Sequence, residues 1–279
     1  MSENRSSGLR EQKGANMIRS LWTSASGLLA QQLNTDIIAN NLANVDTAGF
    51  KKAGAAFKDL DYQEANPGGL TLPGSFPISS GLRVGTGTSL AATQKNFSQG
   101  ELLLTSQPLD LAVEGSGFFR VLLDDGNYGY TRDGALGINS QGGQLQTASG
   151  YQLYPPITIP SGATSISIAS DGKVTALVPG ESEPRELGQI QLYKFVNPSG
   201  LSAEGENLYI ETVASGGVTE GTPGSGNFGH LVQGYLERSN VDLVEEMTKL
   251  ITAQRAYELN SRAIRNSDEM LTIANGIRA

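Results

Sequence analysis

Both ends of this 279-residue chain read as long amphipathic helices, and everything between them carries a β-type pattern. Chain ends fray unless they are tied down. Two terminal helices with apolar stripes must therefore bury them against each other or against neighbouring copies. From Ile18 onward, apolar or small residues recur at Leu21, Ala25, Leu28, Thr35, Ala39 and Leu42, with Trp22, Leu29, Leu33 and Ile37 in a second row. Steps of three and four make this a helix with a broad apolar stripe. Asp46-Thr47-Ala48-Gly49 stops it, with glycine able to take a positive φ. Residues 240–279 repeat the theme. Leu243, Met247, Leu250, Gln254, Tyr257, Ser261, Ile264, Asp268 and Leu271 follow a 4-3-4-3 spacing, which is a heptad seam. Ser239 or Asn240 is expected to cap this helix, with Asp242, Glu245 and Glu246 placed where its dipole favours acids. Three seam positions are polar: Gln254, Ser261 and Asp268. A seam shared among several helices satisfies such groups better than an isolated pair does.

Between the helices the period changes. Asn66-Pro67-Gly68-Gly69, Pro73, Gly74, Pro77 and Gly81 exclude a regular helix. They predict a hairpin-like excursion over 62–83, with 84–90 as the returning strand. Farther on, 109–113, 118–123, 128–132, 157–159, 165–168, 174–177, 190–195 and 208–212 are the expected strands. Asp124-Asp125-Gly126-Asn127 is the hairpin turn between two of them. The expected fold class is α+β. Residues 17–46 with 240–279 form a coiled-coil-like helical layer. Residues 47–100 with 226–239 form an extended connecting region, and 101–225 an all-β sandwich or irregular barrel. Residues 1–16 are polar and aperiodic, and are expected as a disordered extension.

Composition removes several kinds of chemistry. There is no cysteine, so thiolate nucleophiles and thiolate metal sites are absent. His230 is the only histidine, too few for a multi-histidine metal site or an acid–base set. Gly224-Ser225-Gly226-Asn227-Phe228-Gly229 matches a dinucleotide fingerprint as a string, but no strand-to-helix context surrounds it. Asp124-Asp125 and Glu181 with Glu183 sit in turn-like contexts rather than across a cleft. Catalytic, cofactor and metal sites are therefore expected to be absent. Residues 1–58 carry a net +3, 59–236 a net −10, and the remainder −1. The acidic middle disfavours nucleic acid. Near-neutral ends approach their own copies at little electrostatic cost. No apolar run reaches the length of a membrane span, and Arg19, Thr23, Ser24, Ser26 and Gly27 interrupt any secretory signal.

Specific strings now carry a resemblance. Ala39-Asn40-Asn41-Leu42-Ala43-Asn44 within 17–50 resembles the N-terminal signature of the bacterial flagellar axial proteins: rod, hook and hook-associated. Asp110-Leu111-Ala112-Val113-Glu114-Gly115-Ser116-Gly117-Phe118-Phe119 and Tyr130-Thr131-Arg132-Asp133-Gly134 resemble central motifs of the rod and hook members. Gly234-Tyr235-Leu236-Glu237-Arg238-Ser239-Asn240-Val241 and Gln254-Arg255-Ala256-Tyr257-Glu258-Leu259-Asn260 are similar to the C-terminal signature. Chain length and Ser80-Gly81-Leu82-Arg83-Val84-Gly85-Thr86-Gly87 look most like the distal rod members of that family.

The resemblance implies a structural subunit of a helical tube crossing the periplasm in the flagellar basal body and carrying torque from motor to hook. It implies export through the flagellar type III apparatus. The implied partners are other copies, proximal rod proteins, the hook protein and the surrounding ring bushing. Expected subunit-interface residues are Leu21, Leu28, Leu33, Ile37, Asn40, Asn41, Leu42 and Asn44, with Leu243, Met247, Leu250, Gln254, Tyr257, Ser261, Ile264 and Leu271. A proximal rod or hook protein, or a secreted β-domain binding module, such as a carbohydrate binder, with incidental helical ends, is the alternative.

Overall fold

A computed structural model describes residues 3–66, 82–140, 142–179 and 183–276. The chain forms two compact units. One comprises residues 1–40, 53–94 and 244–279, and the other 41–52 and 95–243.

The first unit holds two helices and two strand pairs. Helix α1 spans Glu3–Ala43 and helix α2 spans Leu243–Gly276. The backbone of α1 is already helical at Glu3, where a disordered extension was expected. Missing apolar period removes the reason to bury residues 3–16, but not the ability to extend an existing helix. Propagation adds one hydrogen bond per residue fixed, and no proline interrupts it. The helices run antiparallel. Ser20 Oγ lies 3.2 Å from Ser267 Oγ, and a Cβ on Gly27 would come within 2.9 Å of Asn260 Nδ2. From one contact to the next, α1 advances seven residues and α2 retreats seven. The buried line on α2 thus includes Ala253 and Ser267, not the expected seam through Leu243, Leu250 and Tyr257. Hydrophobic spacing located the period. Closest approach of two helices goes instead to the column with the smallest side chains.

Strands β1 (Ala53–Asp59), β2 (Tyr62–Asn66), β3 (Leu82–Gly85) and β4 (Thr88–Lys95) complete this unit. β1 pairs with β4, and β2 with β3 in antiparallel register. The hairpin-like excursion therefore exists at its base. Its tip, 67–81, lies outside the described residues. Gly87, at φ 128°, lets the hairpin close on α1, where Thr88 N–H donates to Ser26 Oγ at 3.3 Å.

The second unit is all β. Its strands are β5 (Leu102–Leu104), β6 (Leu111–Glu114), β7 (Phe119–Leu122), β8 (Tyr128–Thr131), β9 (Leu136–Ile138), β10 (Leu145–Thr147), β11 (Gln152–Tyr154) and β12 (Ser165–Ile168). They continue with β13 (Lys173–Leu177), β14 (Arg185–Gln189), β15 (Leu192–Lys194), β16 (Ser202–Gly205), β17 (Leu208–Ile210), β18 (Thr219–Gly221), β19 (His230–Gln233) and β20 (Tyr235–Glu237). A seven-stranded antiparallel sheet runs β16-β17-β8-β7-β11-β10-β9. Alternation along its strands sends side chains to opposite faces. Phe119, Val121, Leu145 and Leu153 join the main aliphatic core. Phe118, Tyr130 and Tyr209 face the other way into an aromatic core with Tyr193 and Phe195. Tyr130 meets Phe195 edge-on at 4.7 Å. Residues 157–159 make only a bridge, Gln144 to Thr158, although Ile157 and Ile159 are buried.

Residues 226–239 belong to this unit rather than to a connecting region. β19 pairs with β6, and β20 with β5. The dinucleotide-like string 224–229 is a turn before β19, closed by Gly224 N–H donating to Gly229 O at 2.8 Å.

Gly134 marks the tightest approach of backbone to backbone. A Cβ there would sit 1.6 Å from Leu111 O, and Leu111 N–H donates back to Gly134 O at 3.0 Å. Neither partner moves without breaking β6. Gly134→Ala is expected to destabilise the β unit by about 1–3 kcal/mol or more, read as a drop in the denaturant midpoint.

Candidate functional site

Three charged side chains from remote parts of the chain meet inside the β unit. Lys51 and Glu237 are 0% exposed, and Arg132 is nearly as buried. Lys51 Nζ donates to Glu237 Oε1 at 2.5 Å and to Ser98 O at 2.8 Å. The same carboxylate oxygen accepts from Gly100 N–H at 2.9 Å. Arg132 donates to Val113 O at 3.2 Å and Gly115 O at 2.7 Å, with Nη1 3.6 Å from Glu237 Oε2. Two cations thus share one carboxylate away from water. Burial pushes the Lys51 pKa below its ordinary value, outweighing the attraction of Glu237, and lowers Arg132 in the same way.

Neutral contacts surround this cluster. Asn240 Nδ2 donates to Asn96 O at 2.8 Å and to Ser98 O at 3.1 Å, while its Oδ1 accepts from Lys52 N–H at 2.8 Å. Gly49 N–H donates to Glu237 O at 2.8 Å. Asn207 Nδ2 donates to Ala48 O at 2.9 Å. Arg238 pairs with Asp46 at 3.0 Å near the surface. The segment that follows α1 is thereby tied to the segment that precedes α2. The expected capping role of Asn240 is overturned. Its side chain is committed here, and α2 begins only at Leu243.

All three charged side chains of this arrangement are buried. Among the described residues, no group of three or more His, Cys, Asp or Glu could hold a metal ion, and no helix is long and apolar enough to cross a membrane. His230 lies half-exposed on β19, 2.9 Å from Glu114. Asp124 and Asp125 occupy the β7–β8 hairpin turn, and Glu181 lies outside the described residues.

The helices present a second feature. On α1, Trp22 is 71% exposed, and Leu29 and Leu33 continue the line outward. On α2, Val244 is 73% exposed, with Leu243, Met247, Ile251, Tyr257 and Leu259 also exposed. A lone soluble subunit rarely shows apolar stripes of this extent.

Comparison with known proteins gives these features a setting. Residues 21–51 match the family described as flagella basal body rod protein. Residues 112–176 match the flagellar hook protein FlgE/F/G D1 domain. Residues 232–277 match the C-terminal region of the flagellar basal body rod FlgEFG proteins. The flagellar basal-body rod protein FlgG of Borreliella burgdorferi is 50% identical over 264 residues, covering 94% of this chain and 99% of that protein. FlgG of Bacillus subtilis is 40% identical over 260 residues, covering 91% and 97%. The flagellar hook-basal body complex protein FlhP of Bacillus subtilis is 33% identical over 275 residues, covering 94% and 100%.

The chain belongs to the flagellar basal-body rod protein family. It is a structural rod subunit located at the flagellar basal body, and the families it matches are structural rather than catalytic. Each member of the buried ion cluster comes from a different matched region of the rod protein. Lys51 closes the first, Arg132 lies in the second and Glu237 in the third. Segments far apart in sequence therefore meet at one buried point.

The interface residues expected from sequence separate into groups. Leu33, Leu243, Met247 and Tyr257 are exposed apolar residues, and Gln254 and Asn40 are exposed polar ones. Leu21, Leu28, Ile37, Leu42, Leu250, Ser261, Ile264 and Leu271 are half-buried. Asn44 is also half-buried, and its Oδ1 accepts from Thr47 Oγ1 at 3.2 Å in the turn ending α1. Asn41 is 1% exposed in the single chain.

Sequence reasoning missed the cluster itself. Arg132 and Glu237 were visible within resembling strings, yet nothing paired them. Lys51 stood outside every string. The available signal was a charged residue in a run otherwise rich in glycine and apolar residues, as in Gly49-Phe50-Lys51 and Gly234-Tyr235-Leu236-Glu237.

Proposed function

We propose that this rod subunit is one repeat of a helical tube, the distal rod, which passes torque from motor to hook. The observation that carries this is the pair of exposed apolar stripes, Trp22, Leu29 and Leu33 on α1 and Leu243, Met247, Ile251, Tyr257 and Leu259 on α2. Copies related by a rotation and a rise make a heterologous contact that does not close, which yields a filament. In that filament the stripes of neighbouring copies cover one another as a coiled-coil-like layer. Leu243, Met247, Tyr257 and Leu33 supply buried area, while Gln254 and Ser261 fix which neighbour fits. The rod spans the periplasm, with copies exported by the type III apparatus. Its ends meet proximal rod and hook proteins, and its outer surface meets the ring bushing.

Met247→Asp tests this reading. The side chain is 48% exposed in the single chain, so the monomer's unfolding free energy should change by no more than about 0.5 kcal/mol. In the tube the same carboxylate is buried and unpaired in every copy, at several kcal/mol each. Cells carrying the variant are expected to lack complete rods in electron micrographs of basal bodies, with monomer melting unchanged. Normal rods from Met247→Asp would show that this face stays in water.

A further inference from the structure

One face of the seven-stranded sheet carries a polar cleft that neither the ion cluster nor the helices use. Its volume is about 360 Å³, and Asp124, Asn139, Gln144, Gln146, Tyr151 and Gln152 line it. Strand register places the lining. Gln146 stands opposite Gln152 and Gly137, and Gln152 opposite Leu122, so both glutamines project from one face. A Cβ on Gly137 would meet nothing within 4 Å, which leaves that side open.

One row along the strands, the same face becomes aromatic. Arg120 stands opposite Tyr154 and Tyr130, and Tyr128 opposite Leu122. The Arg120 guanidinium lies 4.1 Å from the Tyr154 ring centroid and 4.5 Å from that of Tyr128. Those two rings meet edge-on at 5.1 Å. Cation–π contact with Arg120 fixes them as a shelf beside the cleft.

The chemistry narrows the ligand. A carboxamide both donates and accepts hydrogen bonds, so four of them converging can read hydroxyl and acetamido groups in alternation. Tyrosine offers a flat apolar body with a polar tip, suited to the face of a sugar ring. The cleft lining holds no cation, Asp124 is part of it, and the nearby Glu206 carboxylate pushes the Tyr151 hydroxyl pKa up. With a net charge of −8 on the whole chain, an anionic polymer is repelled. We propose that this cleft binds a neutral N-acetylated glycan strand, with Asn139, Gln144, Gln146 and Gln152 holding its acetamido and hydroxyl groups and the adjoining sugar lying on the Tyr128–Tyr154 shelf. Many copies in an assembly would sum weak single sites through avidity.

The test uses the full chain as a monomer, titrated with chitohexaose and followed by heteronuclear NMR. Maltohexaose and polygalacturonate are run beside it. Expected is chitohexaose binding with Kd on the order of 1 mM, with shifts confined to the cleft and shelf. The double variant Gln146→Ala/Gln152→Ala should weaken it about tenfold or more. Both side chains are half-exposed, so melting should stay unchanged and separate lost binding from lost folding. Tyr128→Ala, at an exposed position, provides an independent second variant with the same expected loss. No shift at several times that concentration, equal binding of maltohexaose, binding of polygalacturonate, or unweakened binding by the double variant would each overturn the proposal.

Discussion

Lys51→Met should lower the stability of the β unit by about 3–5 kcal/mol, a fall of roughly 6–20 °C in its melting temperature. The loss comes from what stays behind. Glu237 remains fully buried with Gly100 N–H at 2.9 Å and Arg132 Nη1 at 3.6 Å, but without the cation that stood at 2.5 Å. A mere packing defect would be smaller, since methionine nearly fills the lysine stem's volume. Glu237→Gln in the Lys51→Met background should recover most of the loss, because its amide oxygen still accepts from Gly100 while the stranded charge disappears. A double-mutant cycle then gives a large coupling energy. Equal, additive effects of the two substitutions would mean that the pair is incidental.

The same residue sets a pH dependence of definite sign. Lys51 titrates below its ordinary 10.5 in the folded chain because burial disfavours its charge. Between the folded value and 10.5, the unfolded chain holds a proton that the folded chain has released, so this group raises stability as pH rises through that window. Tyr193 acts oppositely. Burial pushes it up to about 12 from 10.0, so above about pH 10 the unfolded chain ionises first and stability falls. Subtracting the Lys51→Met curve from the parent curve removes the tyrosine contribution and leaves the lysine's rise.

Long periodic elements were legible in the sequence, and short ones held together by remote partners were not. Both helices announced themselves through steps of three and four. The β7–β8 hairpin followed from Asp124-Asp125-Gly126-Asn127, which closes with Leu123 N–H donating to Asn127 O at 2.9 Å. By contrast β9, β10 and β11 are three residues each, too short for a period-two pattern to stand out from chance. Their pairing is fixed by the turns at Gly143 and Gly150 and by the core behind Leu145 and Leu153. The face that α2 turns to its own chain was not legible, for another reason. Its apolar residues mark surface that the single chain leaves open, and Ala253 and Ser267 mark the contact it makes. The ion cluster lay beyond local reading altogether, because 186 residues separate Lys51 from Glu237.

A fragment cut at the sequence-derived limits, 101–225, is expected to remain largely unfolded, whereas 41–243 with 53–94 replaced by a short glycine–serine linker should fold cooperatively. The shorter piece lacks β19 and β20. β6 then loses β19, its strand partner among the described residues, and the Leu231 side chain leaves the aliphatic core. It also lacks Lys51 and Glu237, so Arg132 is left buried with no carboxylate, a cost of several kcal/mol. Marginal domains have only about 5–15 kcal/mol to lose. The longer piece restores each of these. Its excision point is geometrically sound, since Asn96 N–H donates to Lys52 O at 2.9 Å and the two cut ends already lie side by side. Urea unfolding followed by tyrosine fluorescence and circular dichroism separates the outcomes. Coincident, sigmoidal transitions are expected for the linked piece and a featureless baseline for 101–225. A cooperative transition from 101–225 alone would mean that the buried ion cluster and the β6–β19 pair close the unit without holding it together.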